Sequence, residues 1–79
     1  MNLEEIVLRV LLDFGQYIFT IEDSVSDFQL RGTNDGMHQL KIFPVENLVI
    51  IKTYGREVGR MSYSEFMCLY REVQKVRCW

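Results

Sequence analysis

Hydrophobic and polar positions alternate through the middle of the chain and recur at helical spacing near both ends. At the start, Leu3, Ile6, Val7, Val10, Leu11 and Phe14 fall on one stripe, which predicts an amphipathic helix. Asn2 with Glu5 three residues later is a capping pattern, and Gly15 is placed to stop the helix. Leu8 and Leu12 lie outside that stripe, on a side otherwise held by Glu5 and Arg9. The run Leu48-Val49-Ile50-Ile51 is apolar at every position and largely β-branched, so it predicts a strand with two apolar faces. The remaining elements are arranged to cover it.

Alternation predicts a strand over 16–22, with Tyr17, Phe19 and Ile21 on one side, and a turn at Asp23-Ser24. A second strand over 27–31 follows, carrying Phe28 and Leu30. Asn34-Asp35-Gly36 suits a tight hairpin, which pairs Leu30 with Leu40 and Phe28 with Ile42. A four-residue loop at Pro44-Val45-Glu46-Asn47 then sets Ile42 against Val49 and Leu40 against Ile51. One sheet face thereby collects Tyr17, Phe19, Ile21, Phe28, Leu30, Leu40, Ile42, Val49 and Ile51 as the core. The other face is polar except for Ile18, Phe43, Leu48 and Ile50. A turn near Gly55-Arg56 leads to a short edge strand over 57–61, weakened by Gly59, whose pairing the pattern leaves open. Ser62 with Glu65 opens a last helix with the stripe Tyr63, Phe66, Leu69, Tyr70, Val73 and Val76. The expected fold is a two-layer α+β domain spanning 1–79: a helix, an antiparallel meander of four or five strands, and a helix, with both helices on one sheet face.

Composition changes this picture little. With 79 residues, 48% hydrophobic and 25% charged, the chain suits one small globular domain, in which a deep catalytic cleft is hard to accommodate. The net charge of −2 weighs against a phosphate-binding surface over the whole domain. Cys68 and Cys78 match no zinc or redox spacing. On one helix they would be about 15 Å apart, too far to bridge. Two reduced thiols, with Glu4 and Glu5 where a signal peptide would be basic, predict a cytoplasmic protein. No run approaches the roughly 20 apolar residues of a membrane span.

Candidate chemistry is sparse. His38 is the one histidine, and alternation places it on the core face opposite Thr53, where a structural role is simpler than catalysis, which needs a cleft and a placed partner. Asp13, Glu22, Asp23 and Asp27 fit no calcium loop and suit local capping. Neither a catalytic residue, a cofactor nor a metal is expected. The leading expectation is a non-enzymatic protein-binding module: an inhibitor, adaptor or subunit of the kind common among bacterial and phage regulators, or a homodimer. Its interface would use surplus apolar surface, on the helix at Leu8 and Leu12, on the sheet at Ile18, Phe43, Leu48 and Ile50, or at the terminal Trp79. The alternative is a nucleic-acid-binding regulator using Lys41, Lys52, Tyr54, Arg56 and Arg60 as a cationic, aromatic strip.

Overall fold

The computed structural model describes residues 2–15, 26–31 and 36–77. The expected strand over 16–22, the Asp23-Ser24 turn, Cys78 and Trp79 lie outside the described residues. Helix α1, Leu3–Phe14, begins where Asn2 turns extended and its side-chain oxygen accepts the Glu5 N–H at 2.9 Å. Glu4 and Glu5 in the first turn suit the positive end of the helix dipole. Gly15 follows in right-handed conformation, its N–H bonded to Leu11 O, so it prolongs the helical path instead of reversing it as a left-handed cap would.

Four strands follow, β1 (Phe28–Arg31), β2 (His38–Phe43), β3 (Leu48–Thr53) and β4 (Arg56–Met61), in one antiparallel sheet of order β1-β2-β3-β4. The expected register holds: Leu30 faces Leu40, Phe28 faces Ile42, Ile42 faces Val49, Leu40 faces Ile51 and His38 faces Thr53. Where the sequence pattern leaves the last strand's partner open, β4 pairs with β3, starting one residue earlier than expected. The ladder shifts between Ile51 and Lys52, so that Ile51 faces Gly59 but Lys52 faces Glu57. Val58 is the extra residue of this bulge, and it re-aims the start of β4. The β3–β4 turn, Tyr54-Gly55, has positive φ at both residues, 52° and 79°, the sign pattern of a type I′ hairpin.

Helix α2, Tyr63–Arg77, closes the domain. Ser62 Oγ accepts the Glu65 N–H at 3.0 Å, and Asn47 Oδ1 accepts the Ser64 N–H at 3.2 Å from the β2–β3 loop. Two side chains from different parts of the chain thus satisfy the amides that a helix start leaves open. Ile6, Val7, Val10 and Leu11 of α1 and Phe66, Met67, Tyr70 and Val73 of α2 form one buried cluster with Leu30, Leu40, Ile42, Val49, Ile51 and Met61. Both helices therefore cover the same sheet face, as expected. Several positions depart from the expected stripes. Met67 takes a core place, whereas Val76 is exposed because the last turn of α2 has run past the core. Leu8, read from the sequence as surplus, is half-buried and packs against the cluster, since the helical neighbours of Leu11 are drawn to the core's rim.

Gly59 has a positive role. A Cβ there would lie 2.5 Å from Leu3 Cδ2, so the missing side chain leaves room for the tip of Leu3 against β4.

Candidate functional site

The sheet face opposite the helices is built by the same alternation that fills the core. Because Leu40, Ile42, Val49 and Ile51 point to the helices, Gln39, Lys41, Phe43, Leu48, Ile50 and Lys52 point away. The register orders them in rows across the strands. Phe43 faces Leu48, and Lys41 faces Ile50, which in turn faces Arg60. Gln39 faces Lys52, which in turn faces Glu57. An apolar block of Phe43, Leu48 and Ile50 thus lies at the end nearest the Pro44–Asn47 loop, grading into a cationic region toward the Tyr54 turn. All of these β2 and β3 side chains are half-buried by their neighbours. Among the described residues no helix packs over them.

Electrostatically this face contrasts with α1 among the described residues. Lys41, Lys52 and Arg60 stand against one carboxylate, Glu57, whereas α1 carries Glu4, Glu5 and Asp13 against Arg9. Arg60 Nε and Nη2 donate to Glu57 Oε2 and Oε1, each at 3.1 Å. Those hydrogen bonds, helped by the charges of Arg60 and Lys52, hold the Glu57 carboxyl below the usual carboxylate range, and the Arg60 guanidinium is pushed up in turn. The pair is solvent-exposed, so it fixes orientation more than it stabilises. Gln29 Nε2 donates to Gln39 Oε1 at 3.3 Å across β1 and β2.

Of the residues expected on a protein interface, Phe43, Leu48 and Ile50 come together on this face. Ile18 and Trp79 lie outside the described residues, and Leu12, 38% exposed, is left on α1 after Leu8 joins the rim of the core. Of the expected nucleic-acid strip, Lys41, Lys52 and Arg60 share the open face. Arg56 faces Thr53, whose hydroxyl meets His38 on the helix side, so the bulge and register take Arg56 off the strip. Tyr54 stands at the turn, 76% exposed. The sequence pattern did not show that Asn47 would cap α2, because the contact joins residues 17 apart in sequence through a loop whose path only the folded sheet defines.

His38 is 3% exposed, with Nδ1 3.0 Å from Thr53 Oγ1. Its Nε2 is buried, with no hydrogen-bond partner among the described residues. Two open clefts lie where α1, β4 and α2 begin or end. One, of about 520 Å³, is lined by Asn2, Leu3, Glu4, Arg60, Met61 and Glu65, and the other, of about 220 Å³, by Glu4, Met61, Glu65, Cys68 and Leu69. His38 lines neither, and Glu4 and Glu65 occupy first turns, where carboxylates stabilise helices locally. Among the described residues there is no group of three or more His, Cys, Asp or Glu arranged to hold a metal ion, and no helix long and apolar enough to cross a membrane. No protein family matches the chain, and no curated protein or solved structure shows significant similarity to it.

Proposed function

We propose that this protein is a non-enzymatic binding module, an inhibitor, adaptor or subunit, that docks a partner protein on the open sheet face. The observation that carries this reading is the apolar block of Phe43, Leu48 and Ile50 bordered by Lys41 and Lys52 on the face away from both helices. An apolar centre with a charged rim is the anatomy of a protein interface. A twofold homodimer with its axis near Lys41 and Lys52 would bring these lysines toward their own copies, and like charges across an interface are unfavourable. An acidic partner surface fits better. The outer side of α1 is the weaker interface, since Leu8 contributes to the core's rim. Nucleic acid is also less well served, because the central open-face positions are Gln39, Lys41, Ile50 and Lys52, where a sheet that stacks bases needs aromatic rings.

The test is capture from the native host's lysate with three baits: the wild type, Leu48→Glu with Ile50→Glu, and Leu12→Glu. Folding of each is checked by circular dichroism. Partners retained by Leu12→Glu and lost from the sheet variant are expected. Partners lost from Leu12→Glu alone would move the interface to α1.

A further inference from the structure

Tyr54 is held in an unusual place. Its φ of 52° lies in the left-handed region, which a residue with a bulky side chain occupies at a cost and which asparagine or glycine occupies readily. The first position of a type I′ turn is therefore ordinarily Asn, Asp or Gly. Burial of the ring would offset the cost, but Tyr54 is 76% exposed. Its backbone is nonetheless anchored, the Tyr54 N–H donating to Met37 O at 2.8 Å. A strained backbone on a fixed hairpin thus presents a large, amphipathic ring to solvent.

The surroundings match. Lys52 flanks the tip from the open face and Arg56 from the helix side, while Val58, 47% exposed, is pushed outward by the bulge. The tip adjoins the cationic end of the docking face through Lys52. We infer that Tyr54 is the anchor of this protein's interaction surface, inserting into an apolar pocket of an acidic partner polypeptide whose rim carboxylates meet Lys52 and Arg56. The inference rests on the docking reading above and names the partner's chemistry. Tyrosine combines apolar area, a polar tip and few rotatable bonds, which makes it a frequent hot spot. A polypeptide is favoured over a nucleic acid because the open-face row beside the turn is Gln39, Lys52 and Glu57, which offers no second ring for successive bases.

The assignment has a consequence that needs no partner. Tyr54→Asn should raise the thermal midpoint, by roughly 2–8 °C, because asparagine suits the left-handed turn and no packing is lost. A fall in the midpoint would mean that the ring supports the fold, and would overturn the proposal. The binding test selects phage-displayed random dodecapeptides against the wild type, then measures fluorescence anisotropy with the enriched peptide. Acidic peptides with an apolar centre are expected, binding Tyr54→Asn, Lys52→Glu and Arg56→Glu at least about 10-fold more weakly and a Val45→Ser control unchanged. Peptides that bind Tyr54→Asn normally but not Ile50→Glu would overturn the anchor while sustaining the sheet-face reading. Failure to enrich any acidic peptide would remove the assigned partner class. A (dT)10 oligonucleotide run in parallel should not bind, and binding that depended on Tyr54 would replace the polypeptide with single-stranded nucleic acid.

Discussion

Asn47 serves two purposes in one position. Its φ of 54° suits asparagine better than most residues, and its carboxamide oxygen takes the Ser64 N–H and Oγ–H at the start of α2. Asn47→Gly should keep the loop and lose the cap, whereas Asn47→Ala loses both. Urea unfolding should therefore show Ala as the costlier change, by about 1–2 kcal/mol from wild type. His38 invites the opposite experiment. With Nε2 buried and lacking a partner among the described residues, His38→Leu removes an unsatisfied group while breaking the bond to Thr53, whose half-buried hydroxyl is the more easily solvated partner, so it should cost about 1 kcal/mol or less. Thr53→Val orphans Nδ1 as well and should cost about 1–3 kcal/mol. If His38→Leu proves the more damaging, the ring has a role beyond filling space. Glu57 gives a pH dependence of known sign. Its carboxyl is lowered by Arg60, so the pair's small contribution is present above the ordinary carboxylate range and lost as pH falls through the depressed value. An NMR titration should place the Glu57 midpoint below that of an ordinary glutamate, and Arg60→Gln should move it back up.

At the scale of elements, the meander was the most legible part of the chain. Period-two alternation has one solution once a face is buried, and the β1–β2 and β2–β3 registers follow it residue for residue. Accordingly, Ile51→Ala should cost about 2–5 kcal/mol in denaturant unfolding and Gln39→Ala almost nothing; equal losses would contradict the face assignment. Legibility ended where a contact depends on how layers sit together. Gly59 reads in sequence as a weak point in a strand, yet it is where Leu3 is seated. A double-mutant cycle resolves the two views. Gly59→Ala should destabilise the wild type and do so less in a Leu3→Ala background, with a coupling of about 0.5–3 kcal/mol. Leu8 and Val76 show the same limit, because helical spacing alone does not say how far a sheet extends beneath a helix. The bulge was equally hidden: Glu57, Val58 and Gly59 carry no signal that one of them will be left without an opposite number. For the proposed docking face, the apolar block at Phe43, Leu48 and Ile50 was visible in the alternation. The removal of Arg56 from the cationic strip required the bulge.

At the scale of the whole molecule, among the described residues cations prevail on the open sheet face and carboxylates on α1, with α2 mixed. A partner drawn to that face should associate faster at low ionic strength, and stopped-flow rates should fall as salt rises from about 0.05 to 0.5 M, as screening shortens the range of the field. Invariance to salt would leave the apolar block as the sole contributor. The seating of Leu3 on Gly59 also bears on how the chain comes into being. Helix α1 packs on all four strands and on α2, so it precedes every element that covers it and its packing is complete only with α2. At about 5–20 residues per second, the interval between the end of α1 and the end of α2 is roughly 3–13 s. During it Ile6, Val7, Val10 and Leu11 lack the share of their covering that Phe66, Met67, Tyr70 and Val73 supply. Arrested nascent chains ending before β4 should bind a hydrophobicity-sensing dye and those carrying α2 should not. For those seconds the first helix and the sheet face beneath α2 are incompletely covered, and their encounters on the ribosome, with chaperones or with a neighbouring copy, are set by the translation rate as much as by the final fold.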